Sequence, residues 1–482
     1  MPALDILRFQ RILLAVFIQF MVFALCFQGI FYFFEYHNGD SIAPTYVKLL
    51  KDLVWVNVLY FVYYVGVSQT RLIDNLLQPY NVLLLGFCLW VIDVKLVESF
   101  AYGTYTILLL AVKNVVLYAA MVPLLGMLEV GIRRSLVKQV LVVLVAVALI
   151  QTTFAAALFI AYPEYSFWKD DPYNGFNPFV GFFSNPNRFG LFLNLGAAVL
   201  SMVLVTSSVR RALLAAAGLL VLVLSIFYTA ALSQLIVYFA VLSYATAIVA
   251  LKMRWRCLRL PAVMITAVLA IGLVAFNFKS PLPDETHSES ALAWDLRNLA
   301  AVTLHGKTLD GKPFRFTSDS FVNRGKELTD LRESLGFQTA QSGQAIEEKR
   351  VKAPLTQRLF GHSEQTAPSS QSQFAYIYFR YGLVGLLLFV GVLAIPAVRS
   401  FVALLRRDTD SDAGQMLLSY HLSLVAFIVT FLGDNGLWDY PTNLLFFFVL
   451  FANQSLVGLA DPSRSRAVIK ARQPIECTGS PA

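Results

Sequence analysis

Long apolar runs alternate with short polar ones along the chain, and each run approaches the roughly 20 residues that carry a helix across a bilayer. Twelve spans are predicted, at 12–34, 52–68, 78–94, 103–126, 139–161, 187–207, 211–228, 232–251, 260–278, 374–397, 415–433 and 443–460. The third is the weakest, being short and bracketed by Pro79 and Asp93. Backbone groups in hydrocarbon must bond within their own segment, so the expected fold is all-α, a polytopic helical membrane protein. One polar stretch breaks the rhythm: 279–373, 95 residues between the ninth and tenth spans, too long for a mere connection. The chain therefore divides into spans at 1–278, a large loop at 279–373, spans at 374–460 and a polar tail at 461–482.

The loop carries helical patterning of its own. Leu292, Leu296, Leu299 and Val302 share one face of a helix predicted over 288–305, with Ser288 as N-cap. A second helix, 320–335, sets Arg324, Leu328, Leu331, Arg332 and Leu335 on one side. Arginines edging an apolar stripe either snorkel past the leucines or aim at a lipid head group. A third helix is predicted over 344–352, ahead of Pro354.

Composition agrees with a membrane solvent: 57% of residues are hydrophobic, 14% charged, and mean hydropathy is +0.64. The formal charge of +8 would suggest a polyanion partner if it were concentrated in a polar domain. The loop, however, holds 12 Lys and Arg against 12 Asp and Glu. The excess lies in short segments beside spans, nineteen cations on one side against four on the other. That asymmetry is the positive-inside pattern; it places both termini in the cytoplasm and the loop outside, and excludes a nucleic-acid role. The four cysteines are scattered and form neither a disulfide framework nor a metal site. Ile12–Phe34 follows Arg8 and Arg11 and lacks a small-residue cleavage site, so it is expected to stay as the first span.

Two short outside segments are rich in aromatic, Asn, Asp and Pro residues: 162–187, and GDNGLWDYPT at 433–442. Both suit the walls of an outward-facing pocket, or interfacial anchoring. Arg188 opens the sixth span, Lys113 lies within the fourth and Arg380 within the tenth, where a cation is costly unless it meets a polar partner. Asp93 is a candidate partner for Lys113, and the lone His421 reads as a packed polar residue. No convincing metal cluster or cofactor motif appears; the Asp170-Asp171 pair has no close third ligand.

The segment where the loop returns reads RLFG at 358–361 and QSQFAYIYFRYGLVG at 371–385. Here the chain resembles the O-antigen ligase and polysaccharide polymerase superfamily of bacterial envelopes, whose large outside loop ends in a similar turn before an R-Y-G-containing span. SNPNRFG at 184–190 is similar to that family's Asn-Pro-Asn span opening, and FYTAALSQ at 227–234 stands where many members carry a Thr/Ser-x-Ser-Arg hairpin. The likeness covers about residues 160–395. It implies an inverting, metal-independent, GT-C-like glycosyltransferase of the inner membrane, with a polyprenyl-diphosphate-linked glycan as donor and a glycan hydroxyl as acceptor. Arginine suits the departing diphosphate because its planar fork binds phosphate oxygens bidentately. The resemblance and the positions of the cations single out Arg188, Arg324, Arg332 and Arg380, with Asn185 and Asn187, for substrate binding. Gln371 stands where many ligases carry His, and Gln234 replaces the hairpin Arg. The base is then sought among Asp319, Asp434, Asp439, His362 and Glu364, and the missing His tilts the reading toward a polymerase. A ligase, a lipid-linked-sugar transporter and a non-catalytic partner of other polysaccharide assembly proteins are the rival expectations.

Overall fold

The computed structural model describes residues 75–103, 105–161, 183, 186–229, 231–252, 256–277, 301–302, 359–361, 372–406, 411–438 and 441–458, with parts of 11–25. The second predicted span, most of the first, and nearly all of the 279–373 loop lie outside these residues. The described chain is all-helical, and seven of its helices are long and apolar enough to cross a membrane. In chain order the principal helices are α1 (Pro79–Tyr102), α2 (Thr106–Gly126), α3 (Val130–Ala161), α4 (Pro186–Thr206) and α5 (Val209–Tyr228). They continue as α6 (Leu232–Ala250), α7 (Arg259–Asn277), α8 (Gln373–Arg406), α9 (Asp412–Phe431) and α10 (Thr442–Gly458).

Three boundaries differ from the sequence reading. The pattern ends the third span at 94, but α1 runs through Asp93 to Tyr102 because Lys95 and Glu98, one turn apart, neutralise each other inside the helix at 2.8 Å. Lys95, which the pattern puts in an outside connection, is thus a buried helical residue. α3 begins nine residues before the predicted 139, taking Arg133, Arg134 and Lys138 into its first turns. α8 is one 34-residue run by its hydrogen bonding, but Gly382 breaks it with φ 66° and ψ −170°.

Burial separates centre from periphery. The apolar window of α4 is 89% buried and that of α9 is 78%, whereas the other five long spans stay at half or less; with the shorter α10, buried along nearly its whole length, α4 and α9 form the axis. α4 packs on α3, α5, α6 and α9, and α8 bridges α1, α9 and α10. Phe389 of α8 is an aromatic hub, its ring centre 5.7–6.4 Å from Phe87, Phe374, Phe431 and Phe446 in tilted or edge-on contact.

Polar side chains inside the bundle satisfy what the helices leave open. Pro396 lacks an N–H, which strips Val392 of its helical partner; the Tyr80 hydroxyl of α1 donates to that carbonyl at 3.3 Å. Four residues on, Ser400 Oγ meets His421 Nδ1 at 2.7 Å, and Tyr244 OH meets His421 Nε2 at 2.8 Å. Both ring nitrogens of His421 are therefore partnered, as a packed polar residue requires. α2 contains a π-helical turn, Val112–Val116, and Asn443 Nδ2 of α10 donates to the Asn114 carbonyl there at 2.9 Å.

The two ends of the bundle differ in chemistry. At one end Asp412, in the first turn of α9, holds Arg134 at 3.2 Å and Lys138 at 3.3 Å. Arg259 at the start of α7 donates from Nη1 to Leu204 O and Ser207 O, closing the carbonyl end of α4. We call this the basic end. The other end, about 30 Å away along α9, gathers the starts of α4, α6, α8 and α10.

Candidate functional site

Three stretches far apart in sequence meet at that second end. Pro186 opens α4, a position where its missing N–H costs nothing. Asn187 and Arg188 follow in the first turn. Asn187 Oδ1 accepts a hydrogen bond from Ser233 Oγ, at the start of α6, at 3.2 Å. Gly190 lies so close to Gln234 that a Cβ there would come within 2.7 Å of the Gln234 side chain. One turn deeper, Asn194 Nδ2 donates to the Gln234 carbonyl at 2.9 Å and to its Oε1 at 3.2 Å. The 184–190 and 227–234 stretches thus form one polar seam between α4 and α6. The hairpin between α5 and α6 is held by Thr229, whose hydroxyl donates back to Ile226 O and accepts from Ala231 N–H.

Arg188 turns from this seam toward the segment after α9. Its Nε is 3.7 Å from Asp434 Oδ2, with side-chain exposures of 12% and 8%. At such burial neither charge is left to bulk water, and the pair orients both groups. The same segment reaches α8: Gln373 Oε1 accepts the Leu437 N–H at 3.0 Å, and Ser372 Oγ donates to Phe431 O at 3.2 Å. Gly436 passes close over Arg188.

The third stretch is a clasp. Gly361 has φ 92°, and a Cβ there would overlap the Arg380 carbonyl oxygen and stand 2.7 Å from Tyr381 N. A Cβ on Gly382 would overlap Leu359 O and stand 2.6 Å from Phe360 N. Two backbones therefore touch where the RLFG turn meets the R-Y-G break, and both contacts need glycine. Trp90 of α1 locks the break: its indole Nε1–H donates to Tyr381 O at 2.9 Å, while its ring stacks on Phe360 at 5.7 Å. Trp90 thus supplies a side-chain donor to the carbonyl just before the break. Lys95 Nζ stands 5.6 Å from the centre of the Tyr381 ring while paired with Glu98. Arg380, just before the break, lies against the Tyr376 ring with Cζ 5.4 Å from its centre.

Of the residues singled out in sequence, Asn187, Arg188, Arg380 and Asp434 lie at this end, and Arg188 and Asp434 are in contact. Asn185, Asp319, Arg324, Arg332, Gln371 and Asp439 lie outside the described residues, as do Asp170, Asp171, His362 and Glu364. Sequence reasoning missed Gln373, Ser233, Asn194, Trp90 and the Lys95–Glu98 pair. Only the last had a signal, opposite charges three residues apart on an apolar helix. Asp93, the candidate partner for Lys113, is exposed; the buried lysine–carboxylate pair of this region is Lys95–Glu98. Among the described residues no three His, Cys, Asp or Glu side chains gather at metal-ligand distance.

Chemically, this end offers the buried Arg188–Asp434 pair among neutral amides and hydroxyls between helices, and on α8 the Arg380 guanidinium against Tyr376. That set suits an anionic group flanked by hydroxyls. No protein-family model matches the chain, and no curated protein matches it.

Proposed function

We propose that this chain is a membrane glycosyltransferase that polymerises polyprenyl-diphosphate-linked oligosaccharide repeats into an O-antigen, capsule or exopolysaccharide. The observation that carries the reading is the meeting of SNPNRFG, FYTAALSQ and the RLFG–RYG pair at one end of the bundle, joined by Asn187–Ser233, Arg188–Asp434, Gln373–Leu437 and the Gly361–Gly382 clasp. Stretches tied together across four helices, each resembling a motif of one family, support a shared site over independent structural roles. In this reading the protein spans the bacterial inner membrane about twelve times, with both termini cytoplasmic and 279–373 as a periplasmic helical domain.

The reaction transfers a glycan. A hydroxyl of the acceptor attacks the anomeric carbon of the donor, the bond to the diphosphate oxygen breaks, and the anomeric configuration inverts. The lipid diphosphate leaves with the bonding pair, and the hydroxyl proton passes to a base. Arg188 and Arg380, with Arg324 and Arg332 from the loop, neutralise the departing oxygens; fixed cations in a site shielded from water do this without reorganisation. Asp434 keeps Arg188 oriented, which leaves Asp319, Asp439 or the amide at Gln371 to position the attacking hydroxyl. Asn185 and Asn187 hold the sugar beside the diphosphate.

The glycan products of a deletion strain test the assignment. Single lipid-linked repeats accumulating in the periplasm are expected. Unattached polymer would instead mark a ligase, repeats trapped in the cytoplasm a transporter, and unexported polymer a secretion component.

A further inference from the structure

The basic end of the bundle holds a cation that nothing in the glycan reading uses. Arg133 lies on the inward stripe of α3, in register with Leu136, Val137, Val140 and Leu144, all at most 1% exposed. Its Nε is fully buried and has no hydrogen-bond partner. Among the described residues no carboxylate forms an ion pair with it. One turn further in, the same stripe of α3 meets α9 at a seam where Tyr420 OH donates to Val137 O at 2.8 Å. On the adjoining face Arg134 and Lys138, 52% and 61% exposed, share the single carboxylate of Asp412.

We propose that this seam is a binding site for the headgroup of an anionic phospholipid. Among the described residues, a half-buried guanidinium with no carboxylate partner, beside two more cations that share one carboxylate, is short of negative charge. Its place in the first turns of a membrane-crossing helix sets it at headgroup depth, where a basic pocket between helices recognises lipid phosphate. The guanidinium fork takes two phosphate oxygens, and the acyl chains run into the bilayer beside α3. Asp412 limits the affinity by competing for Arg134 and Lys138.

The test is native mass spectrometry of the full-length protein in a neutral detergent, titrated with phosphatidylglycerol or phosphatidylcholine. Each uncompensated cation near the surface favours the anionic lipid about fivefold. Wild type should therefore bind phosphatidylglycerol at least about fivefold tighter, Arg133→Gln should lose that preference, and Arg133→Lys should keep most of it. Asp412→Asn should move the other way, tightening phosphatidylglycerol binding about fivefold as Arg134 and Lys138 are freed. Should Arg133→Gln fail to purify, that opposite-signed change carries the test. Equal binding of the two lipids, a preference surviving Arg133→Gln, or no gain in Asp412→Asn overturns the proposal. So does displacement of the lipid by excess inorganic phosphate, which would make the seam a general anion site.

Discussion

Replacing Gly382 with alanine tests the clasp on which the motif end rests. Two costs add. The backbone at φ 66°, ψ −170° lies in a region open essentially to glycine alone, and holding another residue there costs about 1–3 kcal/mol. The new Cβ would also overlap Leu359 O and stand 2.6 Å from Phe360 N, backbone atoms that cannot rotate away. Relieving that overlap forces the RLFG turn off α8, at a further cost of about 1–3 kcal/mol. The sum, about 2–6 kcal/mol, is large beside the margin by which proteins stay folded. Unfolding of the purified variant in mixed micelles measures it. Gly272→Ala is the control, since a Cβ on that helical glycine would meet nothing within 4 Å. The control should gain up to about 1 kcal/mol from helix propensity. Gly361→Ala should behave as Gly382→Ala does, and the double variant should cost less than the two together, because either change opens the same contact. A Gly382→Ala protein within about 0.5 kcal/mol of the control would refute the clasp.

Four further outcomes are expected. Arg188→Ala should destabilise by about 3–5 kcal/mol by taking the cation away from buried Asp434, and an Arg188→Leu/Asp434→Leu double variant should recover part of that stability while remaining inactive in glycan transfer. Glu98→Gln should cost a similar amount by leaving Lys95 buried beside Tyr381, whereas Lys95→Met/Glu98→Met should cost less; unfolding curves of the three proteins decide it. Alkaline phosphatase fused after Gly336 should be active and after Arg407 inactive; the reverse pattern removes the proposed topology and the periplasmic reaction with it. Transfer from a defined lipid-linked donor should persist in EDTA if arginines neutralise the leaving group. Loss in EDTA with recovery on adding magnesium would transfer that role to Asp170 and Asp171.

The helical class and the membrane solvent were legible in sequence because both follow from one-dimensional quantities, run length and hydropathy. α4 to α6, α9 and α10 lie within a few residues of their predicted spans for that reason. Local chemistry was legible too: the Asn-Pro-Asn stretch read as a span opening does open a helix, with Pro186 as the first residue of α4. Span ends were less so, since hydropathy falls at a charge whether or not the helix stops there. α1 continues past Asp93 because Lys95 finds Glu98 one turn on, and α3 starts early because its arginines are tolerated at the bundle's rim. Arg188 and Arg380 stood out as cations in apolar surroundings, but their partners did not. Asp434 lies 246 positions from Arg188 in the chain, and nothing along the sequence couples the two. Gly361 and Gly382 read only as motif letters until two backbones met at them. The sequence by itself determined which segments are helical and which carry costly charge. Tertiary packing alone decided which charges face each other and which glycines must stay glycine, because those depend on distances between helices that no pattern along one helix encodes.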